Sequence, residues 1–136
     1  MADYIPKFKP GEDLTMTAGA AIVGGRLVYV SGANTVQETA GITAAWLGVA
    51  DQDAASGAKV GITSGGVQEL TASGTIAAGD TLVAAAAGQV ATLAAAAATG
   101  TATATTQTDI TNSRAIVGIA LTAATNGNKV LVRMTR

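Results

Sequence analysis

Ala45-Trp46-Leu47-Gly48-Val49-Ala50 runs on to Ser56-Gly57-Ala58-Lys59-Val60-Gly61-Ile62, and seventy residues later Ala115-Ile116-Val117-Gly118-Ile119-Ala120 runs on to Asn126-Gly127-Asn128-Lys129-Val130-Leu131-Val132. Seven of the eighteen positions from 45 to 62 are identical in the second stretch, and several others exchange one aliphatic residue for another. Working outward, the match continues toward the N-terminus at an offset of 54. Thr17, Ala18, Ile22, Gly25, Ala33 and Val36 answer to Thr71, Ala72, Ile76, Gly79, Ala87 and Val90. The step from 54 to 70 leaves sixteen extra residues in the second copy, inside an Ala/Thr tract. A fixed internal period is the mark of a duplicated structural unit. The chain therefore reads as one domain over 14–136, with halves at 14–67 and 68–136 and an insertion at about 93–112. Residues 1–13 form an arm in front of it.

The unit is β-rich. Leu14-Thr15-Met16-Thr17-Ala18 alternates apolar and polar with the period of a half-buried strand. Leu27-Val28-Tyr29-Val30, Thr35 to Glu38, Ala45 to Ala50 and Lys59 to Thr63 follow, separated by Gly, Asn and Asp turn signals. Val67 to Leu70 is the next strand, and the second copy repeats the series at Ile76, Thr81 to Val83, Gln89 to Leu93, Ile116 to Thr122 and Lys129 to Met134. Short strands with a turn signal every eight to twelve residues imply an all-β barrel or sandwich. The only helix signal is Ala94 to Ala98, enough for a single turn before a β-branched, Gly-broken run. In the arm, Pro6, Pro10 and Gly11 disfavour regular structure. Tyr4, Ile5 and Phe8 are costly to leave in water and must pack on their own domain or on a partner.

Composition narrows the function. Ala, Thr and Gly supply half of the 136 residues, and charged residues only 12%. A core made largely of Ala and Val gains little per side chain, so contacts within an oligomer are expected to add stability. The net charge is −1 and basic residues are scattered, which argues against a nucleic-acid partner. No run of 18 apolar residues suits a membrane span, and the first residues lack a secretory signal, so a soluble protein made in the cytoplasm is expected. With no Cys, disulfides and thiolate metal sites are impossible. With no His, the commonest general base and metal ligand are missing.

Nine carboxylates remain. Asp51 and Asp53 sit in a polar loop that lacks the later ligands of a Ca²⁺ site, so their expected role is to bond their own loop's backbone. Ser56-Gly57-Ala58-Lys59 is followed by Val60, without the hydroxyl that a phosphate loop needs to hold Mg²⁺. No catalytic, cofactor or metal site is expected. Trp46 answers to Ile116, a core-type residue, which makes it core or subunit interface before it is a ligand platform.

The order of short motifs along the chain looks like that of a known family. Tyr4-Ile5-Pro6-Lys7-Phe8-Lys9-Pro10-Gly11 is followed by Gly24-Gly25-Arg26-Leu27-Val28, Trp46-Leu47-Gly48-Val49-Ala50 and Asp53 to Val60. Ser64-Gly65-Gly66-Val67, Ala77-Ala78-Gly79-Asp80 and Val117 to Ala124 complete it. The chain resembles the small head decoration proteins of tailed bacteriophages, of the type common in phages of actinobacteria. The resemblance implies a non-enzymatic, β-rich homotrimer on the outer capsid surface of the virion. There it would bridge major capsid subunits and stabilise the head against internal pressure. Tyr4, Ile5, Pro6, Phe8 and Trp46 are the candidate capsid or subunit contacts. The Ala/Thr insertion is longer than the family leads one to expect. A different virion role, in a tail, a fibre or host-surface binding, is the alternative.

Overall fold

The computed structural model describes residues 14–93 and 114–136. The expectations for the arm and for the Ala/Thr tract beyond Leu93 lie outside them. Ten strands follow one another: β1 (Leu14–Ala18), β2 (Leu27–Gly32), β3 (Thr35–Glu38), β4 (Trp46–Ala50), β5 (Lys59–Thr63), β6 (Val67–Thr71), β7 (Thr81–Ala84), β8 (Val90–Thr92), β9 (Ile116–Ala120) and β10 (Lys129–Met134). The first five close a barrel in the order β1-β3-β2-β4-β5, and the second five form a sheet in the order β6-β10-β9-β7-β8. The all-β architecture is the one read from the sequence.

The two orders are the same circuit. In the barrel β1 pairs in parallel with β3 through Ala18↔Val36, and in the second sheet the edges touch at the parallel bridge Ala72↔Val90. Thr17↔Lys59 is matched by Thr71↔Lys129, Leu27↔Val49 by Thr81↔Ile119, and Ile22↔Ala54 by Ile76↔Ala124. Even the register shift between Val28 and Tyr29 recurs between Leu82 and Val83. The offsets of 54 and 70 in the sequence are therefore offsets in strand pairing as well.

Alternation fixes which side chains go inside. β10 is the clearest case: Val130, Val132 and Met134 are buried while Lys129, Leu131 and Arg133 are exposed, as a period of two requires. Inside the barrel lie Ala18, Ile22, Val28, Val36, Ala50, Ala54, Val60 and Ile62, with Leu14, Met16 and Leu47 packed beside them. Their equivalents Ala72, Ile76, Leu82, Val90, Ala120, Ala124, Val130 and Val132 belong to the second core. Each Val, Leu or Ile removed from water contributes about 1.5–3 kcal/mol, and Ala much less.

Small residues also have steric work. A Cβ on Gly118 would run into the Arg133 carbonyl, and one on Gly48 would lie 2.5 Å from the Thr63 carbonyl. These equivalent glycines let β4 and β9 approach the neighbouring strand closely. Two sequence boundaries shift: β2 continues through Gly32, so only Ala33 and Asn34 turn, and Ile76 makes an isolated bridge. Among the described residues no α-helix is a named element.

Candidate functional site

The two halves meet where the chemistry is densest. Three first-half residues, Leu27, Trp46 and Val49, turn away from their own barrel and join the core cluster of the second half. They are 0%, 2% and 6% exposed. What seats on this face is the β7–β8 turn with the last residues of the chain. Ala84 and Met134 belong to the same cluster. The turn is locked by polar bonds: the Leu27 N–H donates to the Gly88 carbonyl (2.9 Å), and the Gly88 N–H to the Thr39 carbonyl (3.1 Å). The Thr39 hydroxyl donates to the Ala85 carbonyl at 2.7 Å. The Arg26 guanidinium bonds the Ala87 carbonyl and lies 3.8 Å from Glu38. From the C-terminus, Arg136 stacks over the Trp46 ring at 4.3 Å and donates to the Ala44 carbonyl at 2.7 Å.

The turn needs left-handed backbone at Ala87 (φ 56) and Gly88 (φ 65), a region that non-glycine residues enter at a cost. Gly88 has a second reason to be glycine: a Cβ there would sit 2.6 Å from the Arg26 Cβ. Trp46 thus lies in the core between the halves of its own chain. Its indole Nε1 is buried and has no hydrogen-bond partner among the described residues. The other contact candidates, Tyr4, Ile5, Pro6 and Phe8, fall outside the described residues.

The carboxylates hold the frame together. Asp53 accepts from the Gly24 N–H (2.7 Å) and Asp51 from the Thr63 hydroxyl. The expectation that both would bond their own loop is corrected: the partners come from other segments, because the loop folds back across neighbouring strands. Asp80 accepts from the Ala77 N–H (2.9 Å) and the Thr92 hydroxyl (2.8 Å). Those two bonds, the first the stronger, hold its carboxyl below the ordinary carboxylate value, against a small opposing effect of burial. Among the described residues no group of three or more carboxylates could hold a metal ion, and no helix is long and apolar enough to cross a membrane.

Sequence reasoning missed the exposed apolar face of the second half. Ile119, Leu121 and Leu131 are 47%, 48% and 39% exposed. β9 and β10 pair through Ile119↔Arg133, and the Leu121 N–H bonds the Leu131 carbonyl. The signal was present in the duplication: the equivalents of Leu121 and Leu131 are Asp51 and Gly61. An outward position that turns from polar to apolar in one copy marks a surface with a use.

A duplicated, all-β body with a tightly bonded internal junction is the class that the fold defines. Comparison with known proteins gives that class a family: residues 8–135 match the model of the phage cement proteins. The chain belongs to that family. Among solved structures it is similar to the N base of head fiber gp8.5 in bacteriophage phi29, with a TM-score of 0.62 and 19% identity over 90% of this chain and 92% of that one. That likeness is one of fold. No curated protein matches the chain. Family membership makes it a structural, capsid-associated virion protein.

Proposed function

We propose that the protein decorates the outer surface of the phage head and stabilises the shell by bridging major capsid subunits. The observation that carries this reading is the family match across 8–135. The body supports it, since a cement needs adhesive surface and rigidity and no reacting groups. The phi29 protein of the same fold is named as a head fiber base, which favours a place on the head over one on a tail or host-binding fibre. Tyr4, Ile5, Pro6 and Phe8 make part of the capsid contact, because they are apolar residues on a segment poor in regular-structure signals. Trp46 acts one step behind, by bracing the halves. The assembled unit is a homotrimer, the cyclic arrangement suited to a threefold position on a shell.

The test is binding of the purified protein to capsids that lack it, read by sedimentation, with head survival under heat as the second readout. Saturable binding and later DNA release are expected. Absence of binding overturns the function, and localisation to the tail would replace it with the alternative virion role. A chain lacking residues 2–12 that binds with unchanged affinity would remove the arm from the contact and leave the rest.

A further inference from the structure

Each half carries two equivalent surfaces, and the described residues pair only one of each. The side of the first half, Leu27, Trp46 and Val49, is covered by the turn end of the second, Ala84 to Gly88. The equivalent side of the second half is Thr81, Ile116 and Ile119, and the equivalent turn end of the first is Val30 to Asn34. Both are uncovered. Ile119 is 47% exposed where Val49 is 6%, and Val30 is 39% exposed where Ala84 is 1%.

We propose that these two leftover surfaces bind each other between copies: the β2–β3 turn of one copy seats on the β7/β9 side of the next. The occupant is a second copy of this chain, because the junction inside the chain already shows the same turn seated on the same side. The turns share left-handed backbone at Asn34 (φ 52) and Gly88 (φ 65), and they differ at Ala87 (φ 56), whose equivalent Ala33 is not left-handed, and in the register shift between Val30 and Gly32. The residue sizes have exchanged in step. Leu27 and Trp46 become the smaller Thr81 and Ile116 on the side, while Ala84 and Gly88 become the larger Val30 and Asn34 on the turn. A shallower side receives a bulkier turn, and the Asn34 Cβ sets the copies farther apart than the halves. Leu121 and Leu131 carry the apolar patch beyond Ile119 and compensate for the bond that Arg26 makes to the turn inside the chain. At the place of Arg26 stands Asp80, which is engaged with Ala77 and Thr92.

Such a contact is heterologous, joining unlike patches head to tail, and closes into a ring when its rotation closes. It does not depend on capsid attachment and is tested on the free protein. Ile119→Asp places a charge on the side and Val30→Asp places one on the turn. Both positions are exposed in the single chain, so thermal unfolding of the isolated variants should keep its two-state shape. By light scattering, the wild type should be an oligomer larger than a dimer. Each variant should fall to the 13.2 kDa of one chain. An equimolar mixture of the two should give a species of twice that mass and no larger, since each pair keeps one intact side and one intact turn. A monomeric wild type would overturn the proposal. So would a Val30→Asp variant that keeps the wild-type mass while Ile119→Asp loses it, which would assign the face to a symmetric contact or another occupant. A mixture that stays monomeric would overturn it as well.

Discussion

The first and second halves share strand order, registers and interior residues, yet they solve the problem of their outer surface differently. The first half hides its side under the second and bonds it with Arg26, Thr39 and Arg136. The second half leaves the same side open and lines it with Ile119, Leu121 and Leu131. Duplication makes the interior redundant but cannot make the exterior so, because a chain of two units has two ends. One end must face solvent or another molecule. The residues that changed most between copies are the ones at these ends, and the barrel interiors changed least.

Trp46 is where this asymmetry is strongest. Replacing it with Ala should destabilise the protein by about 3–5 kcal/mol, as for other large buried aromatics, and should separate the halves. Ile116→Ala, at the equivalent but half-buried position, should cost about 1–2 kcal/mol, toward the low end for a large aliphatic. Urea unfolding of the two variants measures both. Trp46→Phe should cost under about 1 kcal/mol, because loss of packing is offset by removal of a buried, unpartnered N–H. Equal costs at 46 and 116 would mean that the junction contributes no more than an open face, and the contrast between the halves would fail.

The turn offers a finer test. Gly88→Asn imports the first-half residue into the second-half turn, where its Cβ meets Arg26. A loss of roughly 1–3 kcal/mol is expected, the range for forcing extra atoms into a packed contact. The reverse change, Asn34→Gly, removes a side chain that is exposed in the single chain and should stay within about 0.5 kcal/mol in the monomeric Val30→Asp background, as surface changes do. Differential scanning calorimetry of both gives the comparison. Comparable losses would show that the turn's backbone conformation, and not its docking, selects glycine at position 88.

Much of this was legible before any coordinates. The offsets of 54 and 70 predicted strand equivalence, and Gly25 and Gly79, matched in sequence, both adopt positive φ (82 and 90). Its partner Ile116 made Trp46 core or subunit interface, without deciding between the two. The junction was not legible, because Thr39 bonding Ala85 and Arg136 stacking on Trp46 join positions 46 and 90 apart with no periodicity to announce them. Asp51 and Asp53 misled for the same reason: a loop's polar residues suggest local bonds, and the sequence does not reveal which distant strand the loop will lie across. The open face could have been read from Asp51 and Gly61 becoming Leu121 and Leu131, had the duplication been examined for its differences as closely as for its identities.

The smallest contrast lies at the corner before β2 and β7. In the first half Arg26 and Glu38 form an ion pair at 3.8 Å, and in the second Asp80 and Thr92 occupy the same two positions. An exposed ion pair contributes little and is weakened by salt. A carboxylate that accepts bonds from Ala77 and Thr92 responds to acid instead. Its folded-state value is depressed below 3.8, so its contribution is complete above the unfolded value and is lost as pH falls through the lower folded one. Asp80→Asn should therefore lower the melting temperature slightly at pH 7, and the gap from wild type should close as the pH is taken below 3.8. Added salt should leave that gap unchanged, because its partners are a backbone N–H and a hydroxyl. Arg26→Gln should show the opposite pattern, with an effect that shrinks in salt. If both variants responded to salt alike, the two corners would be electrostatically equivalent, and the divergence of the halves would be confined to their apolar faces.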